Sequence, residues 1–172
     1  MKVTVDAPSL GQRLTFLPSD DDTLRSETLL QPGAFVPMHI HLRQHERFEL
    51  TAGELDVWAA GKRRRAGPGD SATIPPGVPH RFHNHSGLPV EVNVAIWPAL
   101  HTRELFETLF ALDRAGALNR MGAPGPLRLG LLTRDYGDEL FLLARVPPRF
   151  QLGVGRALGA IAARAGTTLV PA

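Results

Sequence analysis

Eight short stretches with a period of two, each closed off by turn residues, fill the first 97 positions and leave little choice in what the chain can fold into. They run over 12–17, 23–30, 35–41, 45–51, 54–59, 71–74, 80–84 and 90–97, punctuated by Pro32-Gly33, Ala60-Gly61, Pro68-Gly69, Pro75-Pro76-Gly77 and Ser86-Gly87. Side chains leave a strand on alternate faces, so a period of two marks half-buried strands, and Gly and Pro supply the turn angles between them. No helical period interrupts the series. That argues against strand-helix-strand units and for a β-sandwich or small barrel.

The period changes after Pro98. Leu105, Phe106, Leu109, Phe110 and Leu112 recur at helical spacing, with Thr102 placed to cap the start and Gly116 to end it. A second helix is expected from 127 to about 141, stopped by Pro147-Pro148. A third, over 149–165, puts Phe150, Val154, Leu158, Ile161 and Ala165 on one face and Arg149, Arg156 and Arg164 on the other, weakened by Gly153, Gly155 and Gly159. The chain thus divides into an all-β part, 1–100, and an extension of two or three α-helices, 101–172. The apolar face of the extension is expected to pack on the β part or on a partner subunit, in preference to a membrane surface.

At 172 residues, with 43% hydrophobic and 21% charged side chains, the chain can bury one core without splitting. It has no cysteine, which excludes disulfides, thiolate metal sites and cysteine nucleophiles and leaves nitrogen and oxygen as metal ligands. The start, MKVTVDAPSLGQRL, lacks the apolar run of a signal peptide, and no apolar run approaches the ~20 residues of a membrane span, so a cytoplasmic location is expected. A net charge of +2 gives no argument for nucleic acid. The basic run Lys62-Arg63-Arg64-Arg65 reads as a solvated hairpin edge rather than a polyanion contact.

The chemistry concentrates in 33–53 and 69–84. His39 and His41 are two apart on a strand, so they leave the same face with Cα atoms ~6.6 Å apart, a span two ligands of one ion can bridge. In the next strand His45 and Glu46 are adjacent and only one can point inwards. Glu46, Phe48 and Leu50 form the apolar face, so Glu46 is the inward candidate and His45 the outward one. His80 and Phe82 share a face after the stiff turn Pro75-Pro76-Gly77, while His83 and His85, like His101, read as surface or outer residues. Three imidazoles and one carboxylate then converge, a set suited to one divalent ion among Mn, Fe, Co, Ni and Zn rather than Ca or Mg. Phe35, Phe48 and Phe82, on the same faces, would make an apolar substrate pocket. Trp58 and Trp97 read as packing residues.

The two stretches resemble the paired motifs of the cupin superfamily, G-x5-H-x-H-x4-E-x6-G and G-x5-P-x-G-x2-H-x3-N. Gly33, His39, His41, Glu46 and Gly53 fill the first, Gly69, Pro75, Gly77, His80 and Asn84 the second, and fifteen residues separate them. The resemblance covers about 25–98. It implies a double-stranded β-helix, or jelly-roll barrel, with one metal ion bound by His39, His41, Glu46 and His80, and a homodimer as the assembly. Cupins with this ligand set include dioxygenases, oxalate-degrading enzymes and isomerases, so the expected activity is a metal-dependent, dioxygenase-like oxidation of a small, partly apolar molecule, with Glu46 able to act as base. The alternative is a non-catalytic module that binds a small molecule or a metal for sensing or storage. His45 departs from the pattern, since many relatives carry a second acid there.

Overall fold

The computed structural model describes residues 2–19, 21–139, 141–142 and 147–171. The chain runs through β1 (Val3–Ala7), β2 (Gln12–Leu17), β3 (Leu24–Leu30), β4 (Phe35–Ile40), β5 (His45–Ala52), β6 (Leu55–Ala59), β7 (Lys62–Ala66), β8 (Ser71–Ile74), β9 (His80–His83) and β10 (Val90–Trp97). Then come α1 (Thr102–Arg114), α2 (Pro126–Tyr136), β11 (Phe141–Leu142) and α3 (Pro148–Arg164). The strands form a six-stranded sheet in the order β1-β2-β3-β10-β5-β8 and a five-stranded sheet in the order β11-β4-β9-β6-β7. The two face each other as a jelly roll that does not close into a continuous barrel.

The alternation in the sequence is the alternation of the core. Leu30, Phe48, Leu50, Ile74, Val90 and Val92 from the first sheet meet Leu55, Val57, Ala66 and Phe82 from the second in one buried cluster. Gly53, at φ 81, sits where a Cβ would lie 2.7 Å from the Pro89 carbonyl oxygen, so the β5–β6 turn requires glycine there. Asn84 is wholly buried and donates to the carbonyls of Leu30, Gln31 and Leu88, which fixes the loop between β9 and β10.

α1 lies against the strands. Phe110 joins Ala7, Leu10, Leu14 and Phe16 in a second cluster, and the Asp113 carboxylate accepts from the Ser9 N–H and hydroxyl. Its first helical residue, Thr102, does not cap it. His101 holds the cap position, and the Thr102 side chain is turned inwards to Gln44. Gly116, at φ 65, follows the helix end as expected. α2 stops at Tyr136, five residues short of the expected end, and Phe141 is in β11, paired with Ile40 of β4. Position 140 of the expected helix lies outside the described residues.

α3 packs on α2 through Gly155, Gly159 and Ala162, the buried ones among its described residues, and Leu158 lies beside Gly130, while Phe150, Val154 and Ile161 of the expected apolar face are exposed in the single chain. The reason is close approach to α2: a Cβ on Gly130 would lie 2.6 Å from the Gly159 nitrogen, and one on Gly155 2.4 Å from Thr133 Cγ2. Contact at that range selects small residues over large apolar ones. Gly130→Ala is therefore expected to cost about 1–3 kcal/mol. An unchanged thermal midpoint would show that the helices do not pack at that distance. Among the described residues, no helix is long and apolar enough to cross a membrane.

Candidate metal centre

Glu46 reaches the interior because β5 alternates strictly, with Glu46, Phe48 and Leu50 buried and Arg47, Glu49 and Thr51 exposed. On β10, Ile96, Val94 and Val92 pair with Glu46, Phe48 and Leu50 and so face inwards too. His45 is on the outer face, stacked on Trp97 with ring centroids 5.3 Å apart and planes 7° from parallel. β9 turns His80 and Phe82 inwards, His39 on β4 pairs with His80, and His41 follows one residue past the end of β4. The Gly77 N–H donates to the His41 carbonyl at 2.7 Å, with Gly77 at φ 78, which ties the turn before His80 to the segment carrying His41.

The four side chains meet at one point. His80 Nε2 is 2.9 Å, His41 Nε2 3.1 Å and His39 Nε2 3.7 Å from Glu46 Oε2. One ligand atom from each residue lies within 4.8 Å of all the others, and all four residues are buried. On the far side of each ring, Nδ1 is 2.8 Å from a main-chain carbonyl: Pro37 for His39, Val78 for His80 and Glu139 for His41. A carbonyl only accepts, so each Nδ1 carries the proton and each Nε2 turns a lone pair to the centre. Three lone pairs around a carboxylate oxygen repel one another unless positive charge lies among them. The donor set therefore fits a cation that takes nitrogen and oxygen ligands, and the outer carbonyls are the partners that orient ligating histidines.

The proton affinities express the same need. Burial lowers His39 to a pKa of about 4, helped by the neighbouring His80. Burial also opposes charge on His41, but the Glu46 carboxylate, the Glu139 carbonyl and Gln44 outweigh it and raise its pKa. Burial would raise Glu46, yet the three imidazoles that face it, His39, His41 and His80, hold its carboxyl well below the usual range.

Beside these ligands lies a cavity of about 110 Å³ between the sheets, reached by His39, His41, Glu46, Phe48 and Phe82. Val92, Val94 and Ile96 form further wall, and Phe106, Leu109 and Phe110 of α1 form its roof together with Leu118. Phe48 and Phe82 line it, edge to face at 5.3 Å. Phe35 does not. β4 carries one extra residue between Val36 and His39, so Val36 pairs with Phe82 and lines the cavity, while Phe35 pairs with His83 and packs against the cluster around Leu10 and Phe16. Pro37 sits in that irregular stretch, where its missing N–H costs no ladder bond, and a proline inside a strand pattern is the signal that locates it. Gln44, between the expected strands 35–41 and 45–51, and Glu139, within the expected helix 127–141, are buried beside His41. Neither carries a sequence signal for that position. His85 is near Asp56, Nε2 to Oδ2 3.7 Å, His83 is beside it, and His101 is exposed, all three away from the centre. Trp58 is an outer packing residue between the guanidinium groups of Arg63 and Arg81.

Residues 26–97 match the family model described as a cupin domain. An RMLC-like cupin from Shewanella frigidimarina NCIMB 400 is similar in fold, with TM-score 0.54 and 20% identity over 60% of this chain and 89% of that one. A sugar phosphate isomerase of the cupin superfamily from Silicibacter pomeroyi DSS-3 matches with TM-score 0.48 and 26% identity over 52% of this chain. The match spans 61% of the length of the Silicibacter protein. A predicted oxalate decarboxylase from Thermotoga maritima matches with TM-score 0.48 and 23% identity over 49% of this chain and 78% of that one. No curated protein matches the chain in sequence.

Proposed function

We propose that the chain, whose residues 26–97 match the cupin-domain model, is a metal-dependent oxidoreductase of dioxygenase type that takes a small, largely apolar organic molecule into the cavity between its sheets. The observation that carries this reading is the junction of donor set and cavity: His39, His41 and Glu46 stand in the wall of a space otherwise lined mainly by aliphatic and phenyl side chains. His39, His41, Glu46 and His80 would hold one divalent first-row ion. Such an ion supplies a Lewis acid that stabilises negative charge developing on an oxygen.

The chain's own residues select and orient. Glu46 is the single acid among the described lining residues and is ionised at neutral pH, so it is placed to accept a proton from the substrate. Phe48, Phe82 and Val36 pack against the apolar part of the molecule. Neither lysine nor arginine is among the described lining residues, so a sugar phosphate would bring an unpaired dianion into an apolar space. Size selects as well. A cavity of about 150 Å³ takes a benzene, so 110 Å³ suits a molecule smaller than an aromatic ring, such as a short diketone, while the roof is seated.

Oxygen uptake by the Fe- and Mn-loaded protein tests this. Small diketones should be consumed, and catechols and flavonols scarcely at all. No uptake with any of them would remove the oxidoreductase reading, and saturable binding without uptake would mark a module that retains the molecule instead.

A further inference from the structure

We propose that Gln44 and Glu139 are positioning residues that join the ligand His41 to the first turn of α1, so that ion binding and the seating of the cavity roof are linked. The proposal rests on the ion-binding reading above. Gln44 is wholly buried. Its Nε2 lies 2.6 Å from Thr102 Oγ1, 2.8 Å from the Pro98 carbonyl and 3.2 Å from the Ala99 carbonyl, and these acceptors fix the amide with its oxygen towards His41 Nδ1, at 3.2 Å. Glu139 makes a second bridge. Its carbonyl accepts from His41 Nδ1 at 2.8 Å, and its carboxylate accepts the His101 N–H at 3.2 Å. Both bridges therefore start at one ring nitrogen and end at adjacent residues, His101 and Thr102, where α1 begins.

That helix carries Phe106, Leu109 and Phe110 into the cavity. A shift of the His41 ring on taking up an ion is passed to the helix start, and a molecule pressing on the roof is passed back to the ring. Coupling of this kind is reciprocal. It makes the C-terminal extension part of the metal centre rather than a cover laid over it, and it assigns Gln44 and Glu139 the role of orienting a ligand through its outer nitrogen.

The test compares the full-length wild type with Gln44→Leu, Thr102→Val and Val90→Ala. Affinity for Co²⁺ is read by chelator competition, and hydrogen exchange of the amides of residues 105–110 is read with and without the ion. The wild type should take up one ion and exchange more slowly when it is bound. Gln44→Leu should bind about 10- to 100-fold more weakly and lose the ion-dependent slowing. Val90→Ala, which opens the core away from the site, controls for lost stability and should keep both properties. Thr102→Val removes only the helix end of the bridge, so it should lose the slowing while its affinity falls less than in Gln44→Leu, and it serves if Gln44→Leu does not fold. Wild-type affinity in Gln44→Leu, or full ion-dependent slowing in either bridge variant, overturns the proposal alone. A wild type that takes up no ion overturns the ion-binding reading with it.

Discussion

His41→Ala is expected to empty the centre, taking ion content from about one per chain to almost none, whereas His45→Ala leaves it close to wild type. The two histidines are four residues apart, and the backbone gives them opposite surroundings. His41 Nε2 is 3.1 Å from Glu46 Oε2, and its Nδ1 is held by the Glu139 carbonyl. Its removal leaves two imidazoles and a carboxylate, and also removes one of the rings that keep the buried Glu46 ionised. Loss of an orienting partner alone weakens metal sites about 10- to 100-fold, so loss of a ligand should exceed that. His45 touches the centre nowhere. Its ring stacks on Trp97 on the outer face of the sheet, a contact worth about 0.5–1.5 kcal/mol of stability. Elemental analysis of protein purified without an affinity tag distinguishes the two. If His45→Ala lost the ion and His41→Ala kept it, the strand faces assigned here would be inverted.

Those faces were readable in the sequence wherever a strand kept its alternation. In β5 the single polar residue on the apolar face is Glu46, and that was enough to separate it from His45. In β4 the alternation breaks, because one extra residue enters at Pro37 and Met38. The histidines were placed correctly, being beyond the break, but Phe35 and Val36 exchange faces before it. The run Lys62-Arg63-Arg64-Arg65 lies in β7, at the free edge of the five-stranded sheet, as expected of a hairpin edge. It carries no apolar period, so only its pairing with β6 makes it a strand. β1 was missed because its pairing with β2 is a partner relation that five residues do not encode by themselves. α3 shows the limit of a helical wheel. The wheel weighs side-chain size, and the face that packs was chosen by how close two backbones come, which only Gly130, Gly155 and Gly159 allow. Gln44 and Glu139 reach His41 from the two ends of a loop and a turn that are 95 residues apart, and no local pattern records such a meeting.

Freed of metal, the protein should be most stable slightly above pH 6 and lose stability on acidification by on the order of 3 kcal/mol before pH 4. His39 sets this limb. Its pKa is lowered from 6.5 to about 4 by burial, so between those values the unfolded chain binds a proton that the folded chain does not, and stability falls as pH falls. Glu46, held well below 4.5, adds to the loss once unfolded carboxylates begin to protonate below that value. His41 acts in the opposite direction. Its pKa is raised above 6.5, so its contribution is complete below 6.5 and disappears as pH rises through the folded value. The metal-free stability curve should therefore bend down on the alkaline side as well. An ion changes that side alone in sign. With the ion bound, all three imidazoles must stay neutral, so the alkaline decline should vanish and the acid limb should steepen. Urea denaturation at pH 4.5, 6.5 and 8, with and without Co²⁺, reads both limbs. His39→Gln should flatten the metal-free acid limb, and a limb that kept its full slope in that variant would mean that His39 is not the group whose proton is counted.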